Sequence, residues 1–426
     1  MWFWQSERNA VKKVAKHIIT YSFAILMAGT ATAESSGPLG HLESSAQQGI
    51  GGPASVGAQQ ENDRQRFDNS SRWSSLDRSM DGIEDRKAAL AARTGLSLSF
   101  DYTALYQHSS ESSTGRDDAA SGQLRMLGSW EILNRGGNNP GKFVFALEHR
   151  HKLGTDISPA ELAGNIPYNG ATAVTFGAPG SILSVAYWQQ TLGNGRGGFV
   201  AGRIDPGDYT DILGHVNPRT TFSNFAVLFS PVTPIPDPGF GIGGGGFLTD
   251  QVYALGVVSD ANGSLSDVEW FPGGAELYAY AELGWTPSPS KRYLTNVHVG
   301  AFHTDAKSDA GVASNKGILL SANHTIDENM MLFGRLGWAE GGGLLAEKSA
   351  NAGFMWRPGL YDDLFGFGVT VSEPPGGGAT QTTAEAFYRM DLADNLALTG
   401  DLQYLNNPSN GLDDAWVFGL RLRWNI

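Results

Sequence analysis

The chain has no cysteine. Disulfides are excluded, and closure of the fold falls on other forces, which an exported protein can accept. Long apolar runs are missing too. Beyond residue 33 no segment reaches the uninterrupted length of about 18 to 20 apolar residues that a membrane-crossing helix needs. Positive charge is in deficit: 30 Lys and Arg stand against 43 Asp and Glu, a formal net charge of −13. So acidic a chain is a poor nucleic-acid binder. The nine histidines show no metal-ligand spacing, Thr304, Asp305 and Asp309 do not form a calcium loop, and no serine-elbow motif occurs. The residues thus require no cofactor and no metal, and they single out no catalytic group.

At the N-terminus, Lys12, Lys13 and Lys16 precede an apolar stretch from Ile18 to Met27 and a small-residue box Ala31-Thr32-Ala33. This order is that of a secretory signal peptide, residues 1–33, cleaved after Ala33. Its loss removes four basic residues and one acidic residue, which takes the net charge from −13 to −16. Residues 34–93 read as a polar linker or periplasmic N-terminal segment, Ser-, Gly- and Gln-rich as far as about residue 78. Within it, Asp81-Gly-Ile-Glu84 resembles a capping box ahead of one short helix, Asp85 to Ala92, which would rim a barrel end or sit in solvent.

From Thr94 to Ile426 the periodicity changes to two. Leu96, Leu98, Phe100, Tyr102, Ala104 and Tyr106 share one face, against Ser97, Ser99, Asp101 and Thr103. In the last strand Trp416, Phe418, Leu420, Leu422 and Trp424 oppose Arg421 and Arg423. Alternation marks strands wetted on one side; aliphatics in mid-strand and aromatics at the ends suit a dry side that faces lipid. Sixteen such segments follow one another, from 94–107, 121–133 and 141–152 to 382–391, 395–405 and 413–425. Short connections alternate with long ones at 108–120, 153–180, 206–239, 260–273, 304–315 and 373–380, none of which shows helical periodicity. An even strand count with one set of tight turns predicts an all-β fold for residues 94–426: a transmembrane antiparallel β-barrel of 16 strands in the outer membrane. Such a wall would meet outer-membrane lipid and lipopolysaccharide and would need the barrel-assembly machinery. Small outward residues such as Ala279 and Ala281 leave a homo-oligomer open.

Over roughly Gly95 to Ile426 the sequence resembles the carbohydrate-selective porins of the OprB type. The resemblance rests on Ala201-Gly-Arg-Ile-Asp-Pro-Gly-Asp-Tyr209, Thr221-Phe222, Pro236 to Gly241, Tyr278 to Pro287, Phe333-Gly-Arg-Leu-Gly-Trp338 and Asp363 to Val371. It continues through Ala386-Phe-Tyr388, Leu396 to Tyr404, Asn407-Pro408 and Val417 to Arg423. One departure from the family stands out, Thr399-Gly400-Asp401 where it often has Thr-Pro-Asp; the terminal Ile426 departs from the Phe with which outer-membrane barrels in general most often end. What the resemblance implies is a sixteen-stranded outer-membrane channel, not an enzyme, that passes monosaccharides and other small carbohydrates by facilitated diffusion.

A sugar offers apolar C–H faces and a rim of hydroxyls, so its channel needs aromatic surface together with charged or amide groups. Alternation places Glu148 and Arg150 inward in the third strand, Trp188 and Gln190 in the fourth, and Glu276, Tyr278, Tyr280 and Glu282 in the strand 274–286. Further round come Arg335, Glu385, Arg389, Asp401, Arg421 and Arg423, while Arg203 precedes the longest loop. That loop, stiffened by Pro218, Pro231, Pro234, Pro236 and Pro238 and carrying Phe222, Phe225, Leu228 and Phe229, is the candidate constriction, with Asp205, Asp208, Asp211 and Arg219 offered to the lumen. Each charged residue has a plain alternative, a wall ion pair that supports the fold. The acidic balance also admits a general, weakly cation-favouring diffusion porin with no sugar site.

Overall fold

The computed structural model describes residues 49–64, 71–166, 175–327, 329–359, 361–408 and 412–426, with single positions at 39, 42, 46 and 173. The signal-peptide region lies outside the described residues. The strands run β1 Leu96–Ser109, β2 Asp118–Leu133, β3 Gly141–Lys152, β4 Gly180–Leu192, β5 Gly197–Ile204 and β6 Gly239–Phe247. Next come β7 Val252–Asp260, β8 Leu277–Trp285, β9 Thr295–Thr304, β10 Asn315–Ile326 and β11 Met330–Gly341. The last five are β12 Lys348–Trp356, β13 Leu364–Glu373, β14 Gln381–Ala393, β15 Leu396–Asn406 and β16 Ala415–Asn425. Each strand pairs antiparallel with its neighbours, and β1 pairs with β16 from Asp101↔Asn425 to Ser109↔Val417, which closes the sheet. Reciprocal bonds of 2.7 Å between Phe100 and Ile426 finish the seam. Closure leaves no edge strand, the condition for crossing lipid with sheet alone.

The outer face is apolar because the pleat sends every second side chain outward. In β16 exposure alternates strictly: Trp416, Phe418, Leu420, Leu422 and Trp424 are exposed, while Val417, Arg421 and Arg423 are buried. Trp130, Trp285, Trp338 and Trp356 are exposed near strand ends. No described helix is long and apolar enough to cross a membrane. One end of the barrel carries short turns, the other long loops.

The connection between β5 and β6 turns into the bore. Tyr209, Ile212, Leu213, Val216, Phe222, Val227, Leu228 and Val232 are all buried, so the inside of the barrel has a hydrophobic core of its own. Phe222 sets its ring edge-on to Phe387 at 4.9 Å and to Phe333 at 5.6 Å between centroids. Burying such a ring is worth about 3–5 kcal/mol relative to alanine.

Among the described residues four helices accompany the sheet: α1 Val56–Arg64, α2 Ser74–Thr94, α3 Pro159–Asn165 and α4 Phe225–Leu228. Three expectations change here. The helix expected at Asp85–Ala92 is 21 residues long, and Gly82 and Glu84 lie inside it, where no capping box forms. It ends where Gly95, at φ 79°, adopts the left-handed cap that glycine accepts without strain. The region read as linker contains α1, whose Val56, Ala58, Gln59 and Gln60 are buried inside the barrel. Amide side chains signal solvent in an ordinary globule, but a polar lumen offers them partners. The long connections do contain helix: α3 is set by a capping box, with Ser158 Oγ accepting from Glu161 N and the Glu161 carboxylate accepting from Ser158 N. Seven and four residues are too few to show a period.

Candidate functional site: a charged constriction in the lumen

Midway along the bore, β2 and β3 present Gln123, Arg125, Glu148 and Arg150 to the interior. Their register pairs Gln123 with Arg150 and Arg125 with Glu148, so all four side chains share one face. Glu148 is the hub. Its carboxylate accepts from Gln123 Nε2 at 2.8 Å, Arg125 Nε at 3.3 Å, Arg150 Nε at 2.8 Å and Ser184 Oγ at 2.9 Å. From the inward loop, Arg219 Nε donates to Gln123 Oε1 at 3.0 Å. Arg150 Nη1 donates to the Thr175 carbonyl at 2.9 Å. Among the described residues Arg125 Nη1 is buried with no hydrogen-bond partner, a donor left over for whatever enters.

Asp205, Asp208 and Asp237 of the inward loop complete the lining of a cavity of about 260 Å³ shared with Arg125, Arg150 and Arg219. Burial holds the Asp205 and Asp208 carboxyls above the usual carboxylate range, with repulsion from Asp237 added at Asp205 and from Asp205 at Asp208. Phe225, Phe229, Ile235, Pro236, Pro238 and Leu265 supply the apolar part of the lining. The space thus offers cationic donors, carboxylate acceptors and apolar surface together.

The loop that narrows the bore is held by side chains of the far wall. Arg421 donates to the carbonyls of Pro218 and Thr221, both at 2.6 Å. Glu385 accepts from the backbone of Ser223 at 2.6 Å and Asn224 at 3.0 Å, and Asp401 accepts from Ser223 Oγ at 3.3 Å. Arg335 pairs with Asp211 at 2.8 Å and donates to the Asp211 carbonyl at 3.1 Å. Charge-assisted bonds to backbone are the stronger kind, and five of them on one loop, beside the Asp401–Ser223 bond and the Arg335–Asp211 ion pair, leave it little freedom.

The residues expected to line a pore therefore divide. Glu148, Arg150, Asp205 and Arg219 come together around the cavity. Arg335, Glu385, Asp401 and Arg421 hold the loop. Tyr280 and Glu282 belong to a separate buried group, with Tyr280 Oη on Glu282 at 2.6 Å and Arg292 and His298 alongside. Arg389 lies towards the turn end, bound to Asp391 at 2.8 and 2.6 Å.

Four placements differ from expectation. Trp188 stands opposite Phe143, so it takes the outward phase, while its neighbour Tyr187 is buried inside the barrel. The reason is a bulge: Ala146 faces Val185 and Leu147 faces Leu183, which leaves Ser184 as an extra residue and inverts the alternation beyond it. Gln190 shares the inverted phase. Arg203 also sits on the outward phase, opposite Phe240 and Ala186. Its guanidinium donates to the carbonyls of Leu183, Asp267 and Ser264 and ties down the connection after β7. Glu276 precedes β8 and stays in the outer loops, accepting from Asn262 at 2.7 Å and Ser308 N at 2.8 Å.

Arg125 and Gln123 were overlooked in the sequence although their signal was there: they alternate with Leu124 and Met126. Asp237, thirty-two residues after Asp205 along the loop, carried no signal. Nor did Gly52, Ala54 and Val56, which also line the cavity.

A closed barrel of sixteen strands, apolar outside and narrowed by an inward loop beside a charged ring, defines an outer-membrane porin. The chain belongs to the family described as carbohydrate-selective porin, OprB family, which matches residues 115–426. Solved structures agree on the fold. The high-pH structure of Pseudomonas putida OprB is similar at a TM-score of 0.63 and 14% identity, covering 85% of this chain and 100% of that one. The anion-selective porin from Comamonas acidovorans is similar at a TM-score of 0.52 and 13% identity, covering 78% of this chain and 99% of that one. No curated protein matches the chain. The short turns are therefore periplasmic and the long loops extracellular.

Proposed function

We propose that the channel passes small carbohydrates, monosaccharides such as glucose, into the periplasm by facilitated diffusion. The observation that carries this is the mixed lining of the cavity, in which Arg125, Arg150, Asp205 and Asp208 are joined by Phe225, Phe229 and Pro236. Hydroxyls would accept from the guanidinium forks and donate to the carboxylates, while C–H faces lie on the apolar part. Such contacts are weak singly, so a solute is held and released. The test is ion current through single channels in a planar bilayer. Glucose should reduce the current saturably; a current independent of glucose would remove the sugar site.

A second reading has one specific observation behind it. Around the cavity Glu148, Asp205, Asp208 and Asp237 outnumber Arg125, Arg150 and Arg219 by four to three. That balance favours a general, weakly cation-preferring pore, which a small reversal potential without glucose block would identify.

A further inference from the structure

The segment ahead of the barrel crosses the bore. Its first anchors lie on the connection between β8 and β9, where Arg292 Nη1 donates to the Ile50 carbonyl at 3.2 Å and Tyr293 Oη to the Gly51 carbonyl at 2.6 Å. It then touches the first turn of the constriction loop, Gly52 N donating to the Asp208 carbonyl at 2.8 Å. A Cβ at Gly52 would stand 2.6 Å from Ile212 Cγ2, so any larger residue would force the Ile212 side chain to shift. The last anchors are on the opposite wall. Gln60 Nε2 donates to the carbonyls of Ser97 in β1 and Leu127 in β2, both at 3.2 Å, and Ser129 Oγ donates to Gln60 Oε1 at 2.8 Å. Asp63 accepts from Arg423 of β16 at 2.9 and 2.8 Å.

In a ring of sixteen strands, β8–β9 and β16–β1 lie half a turn apart. Residues 50–63 therefore span the bore from side to side. The strand register fixes their depth. β2 descends from the extracellular loops to the periplasmic turn, and its residues on α1, Leu127 and Ser129, follow Gln123 and Arg125 of the charged ring. The crossing is immediately periplasmic of the constriction.

We propose that residues 49–64 are a built-in strap across the permeation route, and that the strap, together with the inward loop, sets the size limit of solutes leaving the constriction. Gly52, Ala54 and Val56 form part of the cavity lining, so a solute past Arg125 and Glu148 meets the strap next. The strap lies outside the residues that match the family, which makes it a determinant particular to this chain's N-terminal part. The inference rests on the lumen being the passage and is independent of which solute is preferred.

The absence of native cysteine makes a direct test possible. The full-length Ala54→Cys channel is inserted in a planar bilayer and exposed to a bulky charged methanethiosulfonate, with labelling followed by mass. The expected result is labelling and a fall of single-channel current by about half or more, as for any group placed in a constriction; the unsubstituted channel should not respond. A second variant lacking residues 34–64 should conduct at about twice the level or more and admit trisaccharides in liposome swelling, provided it is inserted and heat-modifiable. Failure of Ala54→Cys to label, or labelling with unchanged current, overturns the strap. So does an inserted deletion channel with unaltered conductance and sugar size limit. Glucose block of the unsubstituted channel is a separate measurement, so the strap and the sugar site can fail independently.

Discussion

Replacing Glu148 with glutamine keeps the shape of the hub and removes its charge. Four donors converge on that carboxylate, two of them guanidinium groups, and its side chain is 3% exposed. A hydrogen bond to a charged group contributes roughly 1.5–3 kcal/mol and a neutral one roughly 0.5–1.5, so each guanidinium contact should lose roughly 1 kcal/mol. The two together lose roughly 2 kcal/mol, a factor of about 30 in the equilibrium that holds Arg125 and Arg150 in place. The new amide also turns a donor towards donors, which adds to the disorder of the ring. The barrel itself, closed by sixteen strand pairings, should still insert and remain heat-modifiable. Two readouts follow from single-channel recordings of Glu148→Gln. The reversal potential in a salt gradient should move towards anions, because the ring loses one negative charge out of four. The glucose concentration that halves the current should rise by about tenfold, and by about thirtyfold at most. A reversal potential and a half-blocking concentration both within about twofold of the unsubstituted channel would refute the claim that Glu148 organises the ring.

Arg421→Ala removes two bonds of 2.6 Å from the inward loop; open-channel current should rise and become noisier while the barrel still inserts, and a quiet, unaltered current would count against the anchor. Phe222→Ala should cost about 3–5 kcal/mol of loop packing and act in the same direction, read by the same recordings. pH provides an independent test. Asp205 and Asp208 hold their protons to higher pH than ordinary carboxylates. As pH falls from neutral they are therefore neutralised first, the arginines stay charged, and selectivity should move towards anions before the outer-loop carboxylates titrate. Asp205→Asn/Asp208→Asn should reduce that early shift to what Asp237, also raised by burial, contributes. At the periplasmic end, Arg72 binds Asp363 through two bonds at 2.6 and 2.7 Å. Arg72 is partly exposed, so Arg72→Ala should cost only about 1 kcal/mol or less and show as faster proteolysis ahead of α2 with no change in conductance.

The wall was legible because its physics is local. A pleated strand between lipid and water must alternate, and β3 and β10 start and end within a residue of where alternation placed them. The inward direction of Glu148 and Arg150 followed from the same period. Trp188 shows where that reasoning stops. One extra residue at Ser184 inverts the phase, and nothing in Ser184-Val185-Ala186-Tyr187 announces a bulge, because the decision belongs to the partner strand. Arg335, Glu385 and Arg421 were legible as inward charges, but their work of holding a loop is set by a segment more than a hundred residues away in sequence.

By itself the sequence determined the class of the fold, an exported chain whose sixteen alternating strands have one dry face and one wet, and the loop with enough apolar surface to turn inward. Tertiary structure alone decided which charges meet. Arg125, Glu148 and Arg219 form one ring only because the barrel closes and the loop folds back into it, and the strap finds its bonds only in a polar lumen. Periodicity reports what a strand faces, lipid or water; it holds no information on what stands across the water.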